Sequence, residues 1–244
     1  MFTITTNLID FSSTPLSTTY PNFLALTIDN AFTPSECASL ITHANSHPSS
    51  WSAAGINLAE NQAVCKNFRD SDRKLIDNET MTDMIWERVR PHLPEGLLEI
   101  SAEGGWANVV GEKSFKANGK GEVVRWRADR LNPRLRFLRY TTGQFFKPHC
   151  DGLNDLAVED GKKLKSFVTL HIYLNDGTTE EGLEGGATRF WNPRKTEWVD
   201  VEPKAGRVLV FQQRMLVHSG EEVVSGMKYT IRTELMYERV VEKS

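Results

Sequence analysis

The second half of the chain is a series of short apolar runs separated by Gly, Pro and Asn, a pattern that restricts it to a β architecture. The runs fall at 135–140, 167–174, 188–191, 197–201, 208–211 and 227–237. They are rich in β-branched and aromatic residues, as half-buried strands are. So many short strands in one half predict a double-stranded β-helix, the jelly-roll layout of cupins. The first half reads differently. A strand is predicted at 23–28, and Thr33-Pro34-Ser35-Glu36 is a capping box that should open a helix running to about Ser46. Asn78-Glu79 should start a second helix, because Met81, Ile85, Val89 and Leu93 fall on one helical face. The fold class expected is mainly β with supporting helices (α+β). At 244 residues one domain suffices, with 22–130 as the helical support and 131–240 as the jelly-roll core. Residues 1–21 read as an irregular lead-in, and 111–121 and 154–165 as mobile polar loops.

The chemistry concentrates in Tyr140-Thr-Thr-Gly143-Gln144-Phe-Phe-Lys-Pro-His149-Cys-Asp151. In extended chain, alternate side chains share a face, so His149 and Asp151 can address one metal ion while Cys150 points away. A lone His-x-Asp is common and usually structural. Here it follows a strand and a Gly-Gln turn, and His218 stands beyond the apolar run Val208-Leu-Val-Phe211. Two histidines and a carboxylate on one face of an ion, with the opposite face open, suit a non-heme Fe(II) site. His171 is read as pocket lining rather than as a ligand.

Lys228 lies ten residues after His218, where a buried cation could hold an acidic co-substrate. Thr230 and Arg232 share its strand face. Arg232 competes as the carboxylate anchor, with a bidentate fork in its favour, while spacing favours Lys228. Tyr140 and Tyr173 are either phenol donors to the same ligand or core tyrosines. Arg136 and Glu234 face inward beside the site and are the candidate substrate contacts. The 111–121 segment reads equally as a surface insertion or as a lid over the site.

Bulk properties exclude several classes. The net charge of −3 argues against a protein built to hold nucleic acid, although Arg125, Arg127, Arg130, Arg134 and Arg136 admit a local basic groove. Three cysteines are not a disulfide framework and suit a reducing compartment. The N-terminus lacks a basic region followed by a long apolar run, and no stretch approaches a membrane span. A cytoplasmic or nuclear protein is expected.

The ordered set of motifs resembles the 2-oxoglutarate- and Fe(II)-dependent dioxygenases of the prolyl 4-hydroxylase-like group. It runs from Tyr140 to Asp151, then through Tyr173-Leu-Asn175, Gly185-Gly186-Ala-Thr188-Arg-Phe190, Pro203-x-x-Gly206, His218-Ser-Gly220 and Gly226-Met-Lys228. The resemblance covers about 135–237. It implies iron on His149, Asp151 and His218, and 2-oxoglutarate on Lys228 with help from Tyr140. It implies O2 as co-substrate, ascorbate as a reductant, and release of succinate and CO2. The substrate would be a prolyl residue in a protein or peptide, or a small molecule. An intact Asp151 points to hydroxylation rather than halogenation. Phe146 stands where a tyrosine is usual, and Glu234 and Met236 replace a Trp and a His of the collagen-type enzymes, which argues against a collagen-like substrate. The alternatives are a non-catalytic jelly-roll metal-binding module and a nucleic-acid demethylase of the same superfamily.

Overall fold

The structure, a computed structural model, describes residues 3–58, 61–117, 119–158, 161–178 and 182–243. Its larger sheet runs Thr5–Leu8, Ala25–Asp29, Val208–Gln212, Lys163–Tyr173, Met227–Lys243, Arg134–Thr141, Asp72–Asp77 and Ser52–Ala53 in spatial order. Every pairing along this path is antiparallel. The smaller sheet runs Trp198–Val201, Thr188–Trp191, His218–Gly220, Phe145–His149 and Arg69–Asp70. Phe190 and Val201 of the smaller sheet share one apolar cluster with Ala25, Tyr173, Leu209 and Phe211 of the larger. The two sheets therefore close on each other as a jelly roll.

The long Met227–Lys243 strand shows how alternation divides the molecule. Tyr229, Ile231, Leu235 and Tyr237 join the cluster under the helices. Lys228, Thr230, Arg232 and Glu234 occupy the opposite face, toward the inside of the roll. The helices Pro34–Ser46 and Glu79–Val89 brace the outer face through Cys37, Leu40, Ile85, Trp86 and Val89. The capping box forms as expected. The Thr33 hydroxyl accepts from the Glu36 N–H at 3.3 Å, and the Glu36 carboxylate accepts from the Thr33 N–H at 2.8 Å.

Several elements differ from the sequence expectation. The lead-in contains a strand, Thr5–Leu8, that pairs with Ala25–Asp29. A ten-residue strand, Glu122–Leu131, extends the main sheet along the end of Met227–Lys243. The 154–165 stretch holds the strand Asp155–Ala157, paired with the start of Lys163–Tyr173. The described part of 111–121 is anchored on the outer side. The Ser114 carbonyl accepts from Trp126 Nε1 at 3.2 Å and the Lys116 carbonyl from Arg239 at 2.8 Å, while Phe115 packs on the main core. No helix among the described residues is long and apolar enough to cross a membrane.

Candidate metal and co-substrate site

The smaller sheet assembles the candidate metal-binding group. His149 ends Phe145–His149 and pairs directly across the ladder with His218, which begins His218–Gly220. Asp151 follows two residues after His149, so its carboxylate returns to the same side. One ligand atom from each of His149, Asp151 and His218 lies within 4.8 Å of the others. The Nε2 atoms of His149 and His218 lie 3.7 and 3.8 Å from the Asp151 oxygens. These distances are too long for hydrogen bonds and suit donors that share one ion.

The surroundings prepare each ligand. His149 Nδ1 donates to the Lys147 carbonyl at 2.8 Å, and His218 Nδ1 donates to the Leu216 carbonyl at 3.1 Å. Each bond puts the proton on Nδ1 and leaves the Nε2 lone pair for the ion. Burial, reinforced by the neighbouring His149, pushes His218 down to about 4, so it is a neutral ligand at neutral pH. Burial pushes the Asp151 carboxyl up, but Arg232, His218 and His149 outweigh it and hold it well below the ordinary carboxylate range. The Thr169 hydroxyl donates to Asp151 Oδ2 at 2.6 Å, and Arg232 Nη2 lies 3.0 Å from Oδ1. Phe146 stacks on the His149 ring with centroids 3.6 Å apart. Cys150 is exposed.

Behind the triad lies a cavity lined by Tyr140, His171, Thr188, Lys228 and Arg232. Strand register brings these residues together. Tyr140 pairs with Lys228, Tyr173 with Thr230, and His171 with Arg232. Lys228 is 3% exposed and donates to the Gly186 carbonyl at 2.6 Å. Its ammonium lies 5.3 and 5.4 Å from the ring centroids of Tyr140 and Tyr173. Burial pulls its pKa down to about 8, although Glu202 and Glu221 oppose this. Gly186 has φ +71°, and a Cβ there would stand 3.0 Å from Lys228 Cδ, so the position requires glycine. Tyr173 donates its hydroxyl to Thr188 Oγ1 at 2.6 Å.

Two buried groups at or beside this cavity lack a hydrogen-bond partner among the described residues: His171 Nε2, on its lining, and Thr230 Oγ1, on the same strand face as Lys228. Burial, then the cations Lys228 and Arg232, hold His171 neutral. A bound acceptor such as a dicarboxylate would satisfy an orphaned donor and pair the Lys228 charge. The donor set and the cavity therefore both fit an Fe(II) ion with 2-oxoglutarate.

Other candidate residues are placed differently. Arg232 lies against Asp151, the metal end of the cavity, whereas Lys228 reaches the opposite end. Glu234 is fully buried; Arg136 Nη1 stands 2.7 Å from its Oε1, and Asn132 donates to its Oε2 at 3.0 Å. Of the remaining arginines of the 125–136 cluster, Arg134 borders the cleft outside the triad together with Arg136, and each is ion-paired. Arg125 and Arg127 pair with Glu99, Arg130 with Asp129, and Arg134 with Asp77. Sequence reasoning overlooked Thr169, Arg69 and Arg73. Arg69 and Arg73 stand four apart in the charged run Arg69-Asp-Ser-Asp-Arg73, a spacing that places both on one face of extended chain.

Residues 135–233 match the family described as the 2OG-Fe(II) oxygenase superfamily. The fold is similar to that of a Pseudomonas putida prolyl-4-hydroxylase, with TM-score 0.54, 16% identity, and 93% of this chain and 95% of that chain covered. It is also similar to a Trichoplax adhaerens prolyl hydroxylase solved with a hypoxia inducible factor peptide fragment. That likeness has TM-score 0.55 and 17% identity over 86% of this chain and 82% of that chain. At these identities the two structures establish the shared fold. No curated protein matches the chain in sequence.

Proposed function

We propose that this chain, which carries a 2OG-Fe(II) oxygenase domain of the prolyl 4-hydroxylase-like group, hydroxylates a C–H bond of a small-molecule or peptide substrate other than a collagen-like one. Fe(II), 2-oxoglutarate and O2 together supply an oxidative decarboxylation to succinate and CO2 coupled to oxidation of the substrate. His149, Asp151 and His218 would hold the iron. Lys228 would pair with the far carboxylate of 2-oxoglutarate, and Thr230, His171 and Tyr140 would contribute hydrogen bonds from the cavity wall.

The observation that carries this reading is the coincidence of two sites in one cavity. Three ligand atoms converge within 4.8 Å, and a 3%-exposed lysine faces the same enclosed space from the far end. A metal-binding module without a co-substrate has no use for a buried ammonium whose desolvation is unfavourable. The rest of the site does positional work. Thr169 and Arg232 fix the Asp151 carboxylate from two sides. Phe146 lies against the face of the His149 ring, with centroids 3.6 Å apart, and holds its orientation. Glu234 and Met236 are both fully buried and leave no aromatic or imidazole surface for a collagen-like chain at these positions.

The test is incubation with Fe(II), 2-oxoglutarate and O2 across prolyl peptides and small molecules. The expected result is a product heavier by one oxygen atom, formed in step with succinate. A product formed at full rate without 2-oxoglutarate would overturn the assignment.

A further inference from the structure

Asp151 is held by more than its immediate neighbours. The Thr169 hydroxyl that donates to Asp151 Oδ2 at 2.6 Å accepts in turn from Gln213 Nε2 at 3.3 Å. Gln213 Oε1 accepts from the Ser166 hydroxyl at 2.9 Å, and Ser166 Oγ accepts from the Asn154 backbone N–H at 2.8 Å. Ser166, Thr169 and Gln213 are all fully buried. Asn154, with Gly152 and Leu153, borders the cleft outside the triad. A continuous buried relay thus runs from the edge of that cleft to Asp151.

The chemistry of the two ends sets the direction of every link. A backbone N–H only donates, so Ser166 accepts from Asn154 and keeps its one proton for Gln213. The Gln213 amide oxygen is then committed to Ser166, which turns its NH2 toward Thr169. An amide nitrogen does not accept, so the Thr169 proton goes to the carboxylate, an acceptor only when ionised. The direction required from Asn154 and the direction required from Asp151 agree at Gln213. A serine or threonine hydroxyl rotates freely until its oxygen and its proton both have partners, and Gln213 supplies the partner that fixes Thr169.

The backbone bends to make the relay possible. Residues three apart on a regular strand point to opposite faces. In Lys163–Tyr173 the register against Met227–Lys243 shifts between Ser166 and Val168, and the consecutive Phe167 and Val168 both pack into the cluster under the helices. This bulge turns Ser166 to the same side as Thr169. Gln213 follows directly after Val208–Gln212, and its N–H donates to the carbonyl of Phe167, inside the bulge, at 2.9 Å.

We propose that Gln213 is a positioning residue of the metal site. With Ser166 it orients the Thr169 hydroxyl so that its proton stays on Asp151, and it ties that ligand to the Asn154 segment at the cleft. Neither Gln213 nor Ser166 lines the cavity or the cleft, so both act through Thr169. The inference rests on the reading of Asp151 as a metal ligand, but its test does not need turnover.

The protein is titrated with Mn(II), and its Co(II) form is read by visible absorption, which reports ligand geometry. Gln213→Met keeps the length of the side chain without its polar atoms. It should weaken Mn(II) at least about threefold and shift the Co(II) bands in the same direction as Thr169→Val. In the Thr169→Val background the same substitution should cost less than about twofold, because no hydroxyl remains to be oriented. Ser166→Ala, a smaller change that frees the Gln213 amide to turn, should also weaken Mn(II), and it carries the test if urea titration shows Gln213→Met unfolded. Mn(II) affinity undiminished in these folded variants, or an equal loss with and without the Thr169 hydroxyl, would overturn the positioning role. A wild-type protein that binds no Mn(II) would refute the metal site and the relay with it. Metal binding that follows the expected pattern without succinate formation would refute the oxygenase reading and leave the relay standing.

Discussion

Replacing Lys228 by Met tests the co-substrate anchor with the least disturbance of packing. Methionine preserves the apolar stem that packs against Gly186, whereas Lys228→Arg would enlarge a side chain already 3.0 Å from where a Gly186 Cβ would stand. The lost interaction is a charge-assisted pair in a site 3% exposed, where the other cations on the cavity lining are Arg69 and Arg232. Truncating one partner of such a pair costs about 2–4 kcal/mol, which is about a 30- to 1,000-fold rise in the 2-oxoglutarate Kd. The pH dependence provides an independent check. The free-protein pKa of Lys228 is depressed to about 8, and the bound dianion requires the protonated amine. Wild-type affinity should therefore hold below pH 8 and fall about tenfold per unit above it, while the Met variant stays flat. Calorimetric titration of the Mn(II)-loaded protein from about pH 6.5 to about 9.5 reads both effects. A Kd within about threefold of wild type in Lys228→Met, with a large loss in Arg232→Met instead, would refute the assignment and move the anchor to Arg232.

Other residues yield separate tests. Thr169→Val removes the 2.6 Å bond to Asp151 without changing shape, and should weaken Fe(II) binding about 10- to 100-fold by metal titration. Glu234→Gln leaves Arg136 and Arg232 short of a buried counter-charge and should lower unfolding free energy by about 3–5 kcal/mol in a urea titration. Cys150→Ser alters an exposed side chain between two ligands and should leave the metal Kd within about twofold of wild type.

The convergence of His149, Asp151 and His218 was legible because its signal is local and chemical. His149 and Asp151 sit two apart in extended chain, and His218 follows a strand of buried apolar residues. The shared inward face of Lys228, Thr230 and Arg232 was legible through their alternation along one strand. Which of the two cations points to which end depends on register, and pairing of Tyr140 with Lys228 and of His171 with Arg232 is a long-range fact. The strand Glu122–Leu131 escaped the sequence reading because its outer face carries Arg125 and Arg127, whose charges are matched by Glu99 from another element. The same pairing offsets the charges of Arg125 and Arg127, while Arg134 and Arg136 of that cluster border the cleft outside the triad. Arg69 and Arg73 were hidden for a related reason. Arg69 lies on a two-residue strand, too short for a periodic signal, and its placement over Phe146 is set by the ladder between Arg69–Asp70 and Phe145–His149.

Conversion of 2-oxoglutarate to succinate by the metal-loaded protein under O2 tests the central claim most directly. Succinate should form only with Fe(II) present and should disappear in Asp151→Ala, which leaves two imidazoles and an undefined coordination geometry. Succinate formation that continues undiminished in a folded Asp151→Ala protein, or without added Fe(II) after chelation, would contradict the account.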